Sequence, residues 1–147
     1  MTGSLFAQKP PARRKRLVLH CDGGSRGNPG PAGCGAVVTD EAGCVLAERG
    51  KFLGQATNNV AEYSGLIDGL NLCLELGGTD LLIQADSELL VRQLNGEYKV
   101  KNAGLKPLFS KAQQLLGRFA AWKAEHVRRE FNCRADELAN EAMDRGK

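Results

Sequence analysis

No two of the five cysteines, Cys21, Cys34, Cys44, Cys73 and Cys133, stand in a C-x-x-C spacing. Structural zinc sites usually draw their ligands from local pairs, so zinc is not indicated. An odd, scattered set is no disulfide framework either, and the thiols read as small apolar packing residues. No apolar run approaches the roughly 20 residues that cross a bilayer. The opening MTGSLFAQKPPARRKR lacks the apolar core of a secretory signal. The expectation is a soluble protein of the cytoplasm, with no membrane partner. Linker-like stretches and internal repeats are missing beyond that opening, which argues for one domain.

The opening segment also has no acid, while it carries Lys9, Arg13, Arg14, Lys15 and Arg16. The net charge of the whole chain is only +3, so the remaining residues are slightly acidic. A basic arm on a near-neutral domain fits attraction to nucleic-acid phosphates, and it equally fits a solvated tail. The organisation expected is therefore a flexible basic arm over 1–16 and a domain over 17–147. At 147 residues and 42% hydrophobic content the chain is long enough to bury one core, and a monomer is expected.

Within that domain, LVLHCD (17–22), CGAVVTD (34–40) and GCVLAERGKFLG (43–54) read as strands separated by glycine-rich turns, an antiparallel meander. The period then changes. In TNNVAEYSGLIDGLNLCLELGG, Val60, Tyr63, Ile67, Leu70 and Leu74 recur as on one helical face. LLIQAD (81–86) predicts a central strand covered on both faces, and Ser87 caps a helix ELLVRQL. YKVKNAG (98–104) reads as loop, and Pro107 opens a helix to about Arg118. AAWKAEHVRRE (120–130) is a last strand with Trp122 in the core, and ADELANEAM (135–143) a last helix. The fold expected is α/β: a mixed five-stranded sheet, its first three strands antiparallel and the later ones added in parallel, flanked by helices.

Against these elements the acids fall suggestively. Asp22 lies near the end of strand one and Asp86 at the end of strand four. Glu62 sits one turn into the first helix and Asp136 at the start of the last. Strand ends are favoured ligand sites in open α/β sheets. Carboxylates gathered together repel unless a cation neutralises them, and oxygen donors suit Mg²⁺ or Mn²⁺. Taken singly, each acid also fits a turn or a helix N-terminus.

The residues around the acids decide between these readings. LHCDGGSRGNPGPAGCGAVV, TNNVAEYSGL, ADSELLVRQLNG and NCRADELANEA resemble, in order, the four motif segments of type 1 ribonuclease H, over about residues 17–144. The resemblance implies a metal-dependent endonuclease that cuts the RNA strand of RNA–DNA hybrids with two Mg²⁺ ions, Mn²⁺ substituting, and leaves 3′-hydroxyl and 5′-phosphate ends. Asp22, Glu62, Asp86 and Asp136 match its catalytic metal ligands. Gly23, Gly24, Asn28, Asn58, Asn59 and Ser87 match substrate-contacting positions. For Asn28 turn chemistry, for Asn58 or Asn59 helix capping, and for Ser87 a pure N-cap role are the alternatives. A nuclease that also cuts double-stranded RNA, or a non-catalytic hybrid-binding module, are the competing functions.

Two departures stand out. Where many bacterial members carry a loop histidine, this chain has Glu130, a candidate to hold a water; His20 and His126 fall in strands and read as packed. The basic, tryptophan-rich protrusion after the second helix is also missing, which resembles the subgroup lacking it. Grip on the hybrid is then expected from the arm, Lys99, Lys101, Arg128, Arg129 and Arg134.

Overall fold

Alternation of apolar and polar residues builds the sheet, and glycines decide where helices can press on it. The computed structural model describes residues 14–147. Strands β1 (Arg16–Ser25), β2 (Gly30–Thr39) and β3 (Val45–Ala56) form the meander; helix α1 (Asn58–Glu75) follows, then β4 (Asp80–Ala85), α2 (Glu88–Leu94), α3 (Lys106–Leu116), β5 (Ala121–His126) and α4 (Cys133–Arg145). The sheet order is β3-β2-β1-β4-β5. The β1–β2 and β2–β3 pairings are antiparallel, and β1–β4 and β4–β5 are parallel. This is the mixed α/β sheet expected from the sequence.

The main core lies between one sheet face and α1, α2 and α3. Leu17, Leu19 and Cys21 of β1 and Leu81, Ile83 and Ala85 of β4 point into it, against Tyr63, Leu66 and Leu70 of α1. Helix α1 sits unusually close to β1. A Cβ on Gly65 would lie 2.5 Å from the Asp22 carbonyl oxygen, so only glycine permits this approach. On the other face α4 rests on β2 in the same way: a Cβ on Gly35 would lie 2.2 Å from the Ala135 carbonyl oxygen.

Several expectations need correction. β4 is not covered on both faces: Leu81, Ile83 and Ala85 are buried, while Asp80, Leu82 and Gln84 on the opposite face are only half-buried. The last strand ends at His126, and Arg129–Phe131 form a short 3₁₀ turn into α4. His126 is exposed at that strand end, not packed, and Trp122 is only partly buried against the core. Among the cysteines, Cys21, Cys34 and Cys73 are buried, but Cys44 and Cys133 are exposed.

Residues 1–13 of the basic arm lie outside the described residues. Arg14 pairs with Asp80, the Lys15 amide donates to the Thr79 hydroxyl at 2.7 Å, and Arg16 opens β1.

Candidate active site

Parallel pairing places Cys21 of β1 opposite Ala85 of β4. The residues that follow them, Asp22 and Asp86, therefore come side by side at one end of the sheet. Gly65 lies three residues after Glu62, one turn further along the same side of α1. The close approach at Gly65 brings Glu62 to the same spot. One carboxylate oxygen each from Asp22, Glu62 and Asp86 lies within 4.8 Å of the others. Asp136, in the first turn of α4, lines the same cleft of about 340 Å³. All four acids thus share one site, three of them as a tight cluster.

Such crowding changes the acids. Asp22 is only 6% exposed. Burial pushes its carboxyl up to about 8, helped by the charge of Asp86 and the nearness of Asp136. Burial likewise lifts Glu62 to about 9, with the charges of Asp22 and Asp86 adding to it. Glu62 Oε2 is buried with no hydrogen-bond partner among the described residues. An orphaned buried oxygen on an acid clustered with two more carboxylates is costly in a self-contained fold. An all-oxygen donor set of this kind fits a hard divalent cation such as Mg²⁺ or Mn²⁺, with Asp22, Glu62 and Asp86 as ligands and Asp136 in reach.

The remaining predicted residues divide by what holds them. Gly23 and Gly24 both line the cleft. A Cβ on Gly23 would lie 2.2 Å from the Ala61 carbonyl oxygen, so packing against α1 alone requires glycine there; at Gly24 the nearest such contact is Asn58 Oδ1, at 3.9 Å. Thr57, not Asn58 or Asn59, caps α1, its hydroxyl accepting from the Val60 amide. Asn58 is exposed in the cleft, and its Oδ1 accepts from the Ser25 amide at 2.8 Å. Asn28 accepts from the Asn58 amide at 3.0 Å, joining the β1–β2 turn to α1. Ser87 caps α2 by accepting from the Leu90 amide. Asn59 is exposed outside the residues that line the cleft. Glu130 is exposed, pairs with Arg128 at 3.6 Å and does not line the cleft.

Asn132 escapes sequence reasoning, and so does the place of Arg129, expected only as a basic grip on the hybrid. Asn132 is 2% exposed, and its Nδ2 donates to the Cys21 carbonyl at 2.9 Å and to Asp86 Oδ1 at 3.4 Å. It ties α4's first turn to β1 and to one of the acids. Arg129 lines the cleft and approaches Asp136 at 3.4 Å. A polar residue four positions before Asp136, just ahead of the last helix, is the only signal that the sequence offers for Asn132. Replacing Asn132 with Ala should destabilise the fold by about 2 kcal/mol, the cost of stranding a buried carbonyl. Chemical denaturation of the two proteins checks this; equal midpoints would show that the amide holds nothing.

Residues 20–142 match the family described as reverse transcriptase-like. The chain is 42% identical to a ribonuclease HI of Halobacterium salinarum, over 91% of this chain and 67% of that protein. The chain belongs to the ribonuclease H family. It is also 51% identical to the bifunctional protein Rv2228c of Mycobacterium tuberculosis, over 88% of this chain. It spans only 36% of that mycobacterial protein's length. The solved N-terminal ribonuclease H domain of Rv2228c superimposes with a TM-score of 0.88 at 49% identity, covering 90% of this chain and 96% of that one. LC11-RNase H1, solved in complex with an RNA/DNA hybrid, gives a TM-score of 0.83 at 44% identity, covering 88% and 97%.

Proposed function

We propose that this ribonuclease H-family chain is an endonuclease that hydrolyses the RNA strand of RNA–DNA hybrids, acting as a monomer in the cytoplasm. One observation carries the reading: three carboxylates from β1, α1 and the end of β4 lie within 4.8 Å of one another, with an orphaned Glu62 oxygen among them. Divalent ions bound there, two Mg²⁺ or in their place Mn²⁺, supply the charge that activates water and stabilises the phosphate as it reacts. Asp22 and Asp86 would hold the ions from the sheet. Glu62 would hold one and orient the attacking water near the RNA 2′-hydroxyl, and Asp136 would help hold the second from α4. The water oxygen bonds to phosphorus as the bond to the 3′-oxygen breaks, leaving a 5′-phosphate and a 3′-hydroxyl.

Substrate contact follows the openings of the cleft. Gly24 exposes backbone to an incoming 2′-hydroxyl, the group that marks RNA. The Asn58 amide group donates from the α1 end while its oxygen holds Ser25. Gly23 and Asn59 flank these, and Asn28 and Ser87 contribute through the hydrogen-bonding capacity their structural bonds leave over. Lys99 and Lys106 border a separate hollow with half-exposed Tyr98, and with Lys101 give a basic surface for the backbone. Arg134 is less available, since Glu48, Glu137 and Glu141 all pair with it. No helix among the described residues is long and apolar enough to cross a membrane.

Deleting residues 1–13 removes Lys9 and Arg13 while sparing Arg14 on Asp80. If both contact phosphates, the slope of log affinity against log salt falls by about 2. Hybrid-binding titrations at several salt concentrations check this, and an unchanged slope removes the arm from the interface.

The whole reading is tested with labelled hybrid, duplex RNA and duplex DNA, each given Mg²⁺, Mn²⁺ or chelator. Cleavage of the hybrid alone, only with metal, is expected. Cleavage of duplex RNA as well would widen the substrate class, and metal-independent binding without any cleavage would replace the enzyme with a hybrid-binding module.

A further inference from the structure

The cleft is lined by two cations, and they are differently engaged. Arg26 pairs with Asp144 at 2.7 Å, away from the clustered acids. Arg129 is the one that faces them. It approaches Asp136 Oδ1 at 3.4 Å and lines the same cleft as Asp22 and Asp86. Its side chain is 75% exposed, on the short turn between β5 and α4. At that distance and exposure the pair contributes little to stability and exchanges readily.

We propose that Arg129 is a built-in counter-ion that competes with a divalent cation for Asp136 and thereby sets how tightly this site binds metal. The proposal rests on the metal-dependent reading above. Two effects act in the same direction: the guanidinium occupies an oxygen the cation needs, and its positive charge repels an approaching dication. In the metal-free protein the same charge partly neutralises the acids. Arg129 therefore makes the metal-free form more tolerable and the loaded form less tight, which keeps metal exchange easy.

The test is a titration of the chelator-treated full chain with Mn²⁺ alone, in the absence of nucleic acid, following free Mn²⁺ by its paramagnetic resonance signal. Arg129 is mostly exposed, so Arg129→Gln folds, and melting curves verify it. Arg129→Gln should bind Mn²⁺ about three- to tenfold tighter than the wild type, the size of one screened charge on a dication nearby. Arg129→Lys, which keeps the charge, should stay within about twofold of wild type. In an Asp136→Asn background the Arg129→Gln gain should shrink, because the shared oxygen is gone. Unchanged or weaker Mn²⁺ binding by Arg129→Gln, with normal binding by the wild type, overturns the proposal. If the wild type itself binds no Mn²⁺, the metal-dependent reading fails first, so the two failures are distinguishable.

Discussion

Replacing Asp22 with Asn should lower the proposed cleavage of the hybrid by more than about a hundredfold and, in the same protein, raise metal-free stability above neutral pH. Both effects have one cause. Asp22 is the acid shared by all its neighbours: it follows Cys21 into the space beside Asp86, and its charge raises Glu62. Asparagine keeps the size and one carbonyl oxygen but removes the charge that a cation needs. Without metal that charge is a liability, since it is buried beside other acids. The variant should therefore gain roughly 1–3 kcal/mol in chelator at about pH 8, a trade of stability for activity common at built sites. Turnover assays and denaturant melts on the same preparation read both quantities. A variant that keeps wild-type turnover would remove Asp22 from the chemistry.

The second large effect is a pH dependence that metal counteracts. Asp22 is raised to about 8 from an ordinary 3.8, and Glu62 to about 9 from 4.5. Between those limits the folded chain holds protons that the unfolded chain has released. Stability of the metal-free protein therefore falls as pH rises from about 4 to about 9. Below that window other acids act oppositely: Asp80, held at about 2 by Arg14, contributes stability that is lost only as pH drops through its own range. On the proposed reading divalent cations would take the place of those protons on Asp22 and Glu62. Mg²⁺ should raise the melting temperature little near pH 5 and strongly near pH 8–9, by several degrees. Melting curves with chelator or Mg²⁺ across that range check this. A metal effect independent of pH would mean that the cation binds somewhere other than these acids.

Much of this arrangement is legible in residue order, because sheet pairing turns local position into proximity. The glycine turn after Asp22 and the helix start after Asp86 mark two strand ends, and parallel pairing of those strands brings the acids together. Glu62 and Gly65 on one side of α1 carry the signal that this helix presses on the sheet there. The misread features depend on tertiary context. The apolar start of β4 suggested burial on both faces, but α4 lies over β2 and leaves the outer face of β4 half-open. The run HVRRE continued a strand pattern, yet the chain turns at Arg129–Phe131 to aim α4 at the site. Asn58 offered itself as a cap, whereas Thr57 one residue earlier takes that bond and frees Asn58 to hold Ser25. Asn132 and Arg129 act through space on Asp86 and Asp136, and no local periodicity encodes such a contact.

The central physical claim is that these acids are a cation site. Diffraction from crystals of the chain soaked in Mn²⁺, collected at a wavelength where manganese scatters anomalously, tests it most directly. The account predicts an anomalous peak between the carboxylates of Asp22, Glu62 and Asp86, lost in crystals of Asp22→Asn. Fully ordered crystals with no peak there, or with peaks only elsewhere on the surface, would contradict it.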